Sequence, residues 1–146
     1  MRKVCLFLIV VFLLGCFSGC LQLKELINGP IENDDGTLSD WMKEEILEAY
    51  KKQYNIEYSK DIWEYESHIR YYGTENGYVF LYENTGMCAL GELRVGGRVF
   101  NSNYVFVITV YKDGKFMKLE DAFEQGLVTK STIAKIWEVH QEYETR

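Results

Sequence analysis

Histidine, proline and pairable cysteine are all scarce in this chain. Its 146 residues include two histidines, His68 and His140, and one proline, Pro30. Neither histidine stands in a His-Glu-x-x-His motif, and the folded part offers no cysteine pair. The minimal ligand set of a zinc site is therefore missing, and no cofactor is expected. No serine occupies a Gly-x-Ser-x-Gly elbow, and no glycine-rich loop follows a strand and opens a helix as a phosphate cradle requires. No cluster of Lys and Arg interrupts the acidic balance. The net charge is −6, which argues against nucleic acid as a partner. Apolar residues at 47% and charged residues at 26% are ordinary values, so wholesale disorder is excluded. The length fits one domain with a core of its own.

The sharpest signal lies in the first twenty residues. Arg2 and Lys3 form a short positive region, and residues 4–14 are an unbroken apolar run. Such a run suits the centre of a signal peptide and is short for a membrane span. Two sites follow in which a small residue precedes a cysteine, Leu13-Leu14-Gly15-Cys16 and Phe17-Ser18-Gly19-Cys20. Both resemble the lipobox of bacterial lipoproteins, where a thiol accepts a diacylglyceryl group and the chain is cut just before it. Ser18 and Gly19 favour Cys20 as the lipid-attachment residue, with Cys16 as the alternative; plain secretion and an uncleaved anchor are the other outcomes. The expected organisation is a signal peptide over 1–19, a flexible tether over 20–37 and one domain over 38–146. The domain then sits on the outer face of the cell membrane, held by lipid. Only Cys88 remains in the folded part, and its neighbours Met87, Ala89 and Leu90 suggest a small core residue.

Residues 21–37 contain Asn28-Gly29-Pro30 and the acidic, turn-rich Glu32-Asn33-Asp34-Asp35-Gly36. They read as a spacer. A helix follows, with Thr37 or Ser39 as its cap and Asp40 in its first turn. Met42, Ile46, Ala49 and Tyr50 recur at helical spacing as its inner face. From residue 67 the period switches to strands. Asn76-Gly77, Gly96-Gly97 and Asp113-Gly114 each tolerate the positive φ of a tight hairpin turn. Strands are expected over 68–73, 78–83, 88–95, 98–100, 104–111 and 115–118, with the fifth central and a bulge at Gly91. A short helix over 119–125 ends at Gly126. Thr129 then caps a last helix with Ile133, Ile136, Trp137 and His140 on its inner face. The fold class is α+β: an antiparallel sheet of five or six strands, with an N-terminal helix and a C-terminal helical hairpin on one face.

Chemistry is harder to place. His68 and His140 read as surface or rim residues. Glu57, Glu64, Glu66 and Glu83 could supply a carboxylate pair to a small envelope-directed hydrolase, the competing function. The helix-turn-helix appearance of residues 120–138 is offset by balanced charge, Lys130 and Lys135 against Glu138 and Glu142.

Eleven tyrosines are the most unusual feature, several of them near the first hairpin. Tyr71, Tyr72 and Tyr78 form the candidate binding surface for an envelope protein, peptide or glycan, since tyrosine combines contact area with a polar tip. The plainer alternative is cross-strand aromatic pairing. Tyr71-Tyr72-Gly73-Thr74 with Asn76-Gly77-Tyr78 resembles a stretch of small secreted proteins and lipoproteins of Clostridia-like Gram-positive bacteria. Val110-Tyr111-Lys112-Asp113-Gly114, Phe116, Leu119, Ala122, Gly126-Leu127 and Thr129 are similar to the closing segment of those proteins. The resemblance spans about Leu38 to His140 and departs from the pattern at Ser131 and Thr132. It implies fold and export, and no functional residue carries over. A non-catalytic binding or accessory module is the function expected.

Overall fold

The computed structural model describes residues 20–63 and 68–146. The leader, Cys16, Glu64, Tyr65 and Glu66 lie outside the described residues. Helix α1 spans Cys20–Asn28 and α2 spans Asp40–Tyr54. A 3-10 turn covers Lys60–Trp63. Six strands follow: β1 Ile69–Glu75, β2 Tyr78–Asn84, β3 Gly91–Val95, β4 Arg98–Ser102, β5 Phe106–Lys112 and β6 Lys115–Lys118. Helices α3, Leu119–Glu124, and α4, Lys130–Glu144, close the chain.

The class is α+β. The six strands form two sheets rather than one: a four-stranded antiparallel sheet in the order β1-β2-β5-β6, and a separate β3–β4 hairpin. The helices also divide between two faces. Val79, Leu81, Tyr111 and Phe116 pack on Met42, Ile46, Ala49 and Tyr50 of α2, forming a lower core. Phe80, Tyr82, Ile108 and Val110 pack on Leu119, Ile133 and Ile136, together with Phe100 of the hairpin, forming an upper core. Alternation along β2 and β5 sends successive side chains to opposite faces, and here both sets are apolar. Each face therefore needs its own cover, which is why one-sided packing does not occur. β5 is central, with β2 beside it.

The three hairpin turns form where the dipeptides place them. Asn76, Gly96 and Asp113 have φ of 53, 57 and 49°, each followed by a positive-φ glycine, as a two-residue primed turn requires. The bulge lies at Tyr72, not Gly91. Tyr71 faces Leu81 and Gly73 faces Phe80, leaving Tyr72 as the extra residue. Gly91 serves close packing instead, because a β-carbon there would lie 2.2 Å from the Tyr104 carbonyl oxygen. Gly126, at φ +73°, closes α3: its N–H donates to Phe123 O, and that of Leu127 donates to Ala122 O.

The segment read as a spacer folds back onto the domain. Ile31 is 4% exposed and Leu38 2%, and both belong to the lower core. Ser39 N–H donates to Ile31 O, Asn33 N–H to Thr37 O and Trp41 Nε1 to Pro30 O. The polar residues of 32–37 are used up in a closed turn, while Ile31 anchors it. Ser39 is the N-cap of α2, yet its hydroxyl makes no capping bond. At the far edge, Gln53 of α2 accepts from Phe116 N–H at 3.0 Å and donates to Phe116 O at 3.4 Å. It thereby occupies the outward backbone groups of edge strand β6.

Gly91→Ala and Gly126→Ala separate the two uses of glycine. The first meets backbone and is expected to lower stability by about 2 kcal/mol or more. The second meets open space and carries only the left-handed penalty of about 1 kcal/mol. Thermal unfolding of both variants checks the order.

Candidate functional site

The three sequence-selected tyrosines do not share a surface. Tyr72, the bulged residue, is 3% exposed in the upper core. Its ring stacks on Tyr143 at 5.6 Å and lies 5.7 Å from Tyr82. Tyr71 points the other way, to the lower core, where its hydroxyl donates to the Glu32 carboxylate. Burial is the main reason both phenols are held well above their ordinary pKa. Tyr78 is half-buried, with Lys112 Nζ 4.3 Å from its ring centroid. Opposite faces for Tyr71 and Tyr72 follow from strand alternation, and the glutamate partner of Tyr71 comes from the supposed spacer.

His140 lies on the inner face of α4, as its helical spacing predicts, and the surface-or-rim reading does not hold. It is wholly buried rather than at a rim. Its Nε2 lies 2.8 Å from Asn101 O, and its Nδ1 lies 2.9 Å from Tyr72 Oη. A carbonyl oxygen only accepts, so Nε2 carries the proton and Nδ1 accepts from the tyrosine. Phe106, Phe100, Tyr72 and Tyr82 surround the ring. Desolvation lowers the histidine's pKa below its usual value. Beside it, Arg70 bonds Glu144 at 2.9 Å and lies 4.6 Å from the Tyr82 ring centroid. With both nitrogens committed and no exposure, His140 organises this layer and is not placed to take a proton from a substrate. His68, by contrast, is exposed, with Nδ1 3.3 Å from Asn84 Oδ1.

Of the candidate carboxylates, Glu57 and Glu83 are described, and they stand in different surroundings. Glu57 is exposed and bonds Lys51. Glu83 faces the lower layer, where its Oε1 is buried without a hydrogen-bond partner. Burial raises its pKa to about 7. Cys88, expected in the core, is exposed in the loop that carries the chain from β2 to β3. Val105 N–H and Ala89 N–H donate to Met87 O, which holds this loop against the start of β5 and turns the cysteine outward.

An open groove of about 910 Å³ lies between α2 and the β5–β6 turn. At its floor Tyr111 donates to Glu45 Oε1 at 3.0 Å, and the same oxygen accepts from Lys24 Nζ at 2.8 Å. Phe116 supplies an apolar wall, and Lys52 and Lys115 stand at the rim. This mixture of an aromatic wall and charged rim suits a polar ligand with an apolar face. The groove gathers residues from α1, α2 and the β5–β6 hairpin, which are distant in sequence, so no local motif announces it. Compared with protein-family models, curated proteins and solved structures, the chain matches none.

Two buried titrating groups act in opposite senses. The folded state holds the Glu83 proton up to about pH 7, whereas the unfolded carboxyl loses it near 4.5, so this group's stabilisation fades as pH rises through that window. Glu83→Gln is expected to gain about 3 kcal/mol over the wild type between pH 4.5 and 8. His140 stays neutral when folded, so its contribution is lost as pH falls below about 6.5. Urea unfolding of Glu83→Gln across this range checks the first, and the residual acid-side decline checks the second.

Tyr72→Phe leaves His140 Nδ1 buried without a donor and is expected to lower stability by about 1–3 kcal/mol. Tyr78→Phe, on a half-exposed ring, is expected to change it by less than about 0.5 kcal/mol. Chemical denaturation of the pair distinguishes a framework tyrosine from a surface one.

Proposed function

We propose that this protein is a membrane-tethered extracytoplasmic lipoprotein whose folded part is a non-catalytic binding or accessory module. The observation that carries the reading is the leader: Arg2-Lys3, the apolar run over 4–14, and Ser18-Gly19 directly before Cys20. Cys20 is the lipid-attachment residue in this reading, Cys16 the alternative. The burial of His140, with both ring nitrogens committed, supports a binding module over an envelope hydrolase. The groove between α2 and the β5–β6 turn is the proposed binding place, for an envelope protein, peptide or glycan. No helix among the described residues is long and apolar enough to cross a membrane. Attachment by acyl chains supplies the membrane affinity, at about 0.8 kcal/mol per buried CH₂.

Metabolic labelling with a fatty acid tests the anchor. Wild-type protein is expected to take up label, Cys20→Ala to lose it and Cys16→Ala to keep it. Label surviving in Cys20→Ala alone moves the attachment to Cys16, and a wild type without label removes the lipoprotein reading.

A further inference from the structure

Helix α1 follows the proposed lipid-attachment residue without a break, because it begins at Cys20 itself. Its inner side is fastened to the domain. Leu21 packs against the lower core, its Cδ2 close to the Asn76-Gly77 turn, and Lys24 bonds Glu45 of α2. The chain then leaves through Gly29 and Pro30 to the buried Ile31. With that side held, the other side is fixed in direction. It presents Leu23, Leu26 and Ile27, which are 58%, 82% and 72% exposed. These three occupy one stripe at spacings of three and four, beginning three residues after Cys20. So large an apolar stripe, uncovered on a nine-residue helix, asks for a cover.

We infer that the Leu23–Leu26–Ile27 stripe of α1 lies in the membrane surface and docks the domain on the bilayer in one orientation. This rests on the anchoring reading above. At 1.5 Å per residue, α1 is about 13 Å long, less than half the hydrocarbon thickness, so it lies along the interface and does not span it. The occupant is lipid because acyl chains on Cys20 bring the bilayer to the first turn of this helix. A lone lipid anchor would leave the domain free to swing. An apolar stripe one turn away, on a helix bonded to the domain, removes that freedom.

The test uses the full, acylated chain in vesicles of phosphatidylcholine brominated on its acyl chains. Leu26→Trp adds an indole at the most exposed stripe position, and the emission of wild type, which carries Trp41, Trp63 and Trp137, is subtracted. The added signal is expected to shift to the blue and lose about half its intensity in brominated vesicles. Glu92→Trp, on the exposed face of β3, is expected to show no change. Unquenched emission from an acylated Leu26→Trp protein overturns the docking while the anchor stands. Unquenched emission with cross-linked dimers through α1 overturns it in favour of a second copy. Absence of acyl label on Cys20 and Cys16 overturns both readings.

Discussion

The pairing of β2 with β5 is the contact on which the remainder rests. The two strands run antiparallel over six residue pairs, from Val79 against Tyr111 to Asn84 against Phe106. Neither strand has a solvent face along its middle. Leu81 and Val79 point down, Phe80 and Tyr82 up, and all four are essentially inaccessible. A two-sided apolar ribbon cannot rest on one layer of helices. It draws α2 to one face and the β3–β4 hairpin with α3 and α4 to the other, which is a three-layer arrangement. The edge strands β1 and β6 then take their register from the central pair.

Each layer holds a buried ionisable group that the apolar effect alone would expel. In the upper layer, His140 is accommodated because a backbone carbonyl and a tyrosine hydroxyl satisfy both nitrogens. In the lower layer, Glu83 is accommodated by keeping its proton. The difference lies in partners. Asn101 and Tyr72 come from two separate strands and converge on the ring, whereas Glu83 has only the Thr109 hydroxyl beside it, and its Oε1 is left without a well-formed hydrogen bond.

Local chemistry was largely legible in the sequence. The inner face of α2 is Met42, Ile46, Ala49 and Tyr50 as its spacing predicts, and the three dipeptide turns and the Gly126 stop form in place. What could not be read was which surfaces meet. Residues 88–90 read as the start of a third strand in the same sheet, yet they carry the chain away so that β3 and β4 pair only with each other. Ile31 is a single apolar residue inside a polar run, and no periodicity marks one anchor. His140 sits on a helical stripe with Ile133 and Ile136, a position compatible with rim or core until Asn101 and Tyr72 are in place. The candidate groove suffers the same blindness, because Lys24, Glu45 and Tyr111 meet only after folding. Adjacent in one strand, Tyr71 and Tyr72 must face opposite ways, which leaves one of them for a binding surface only if a single face is covered. The sequence does not say that both directions lead inward.

The Gln53 clasp on β6 has a meaning for how copies of this chain behave beside one another. An open strand edge is a template on which a second chain can extend a sheet. Here the amide of Gln53 already holds the N–H and C=O of Phe116 that such a chain would need. An incoming strand must displace a group tethered to α2, and α2 is held by the lower core. The β6 edge is thus shut by a side chain of its own helix, and a second copy cannot extend the sheet there without first freeing Phe116.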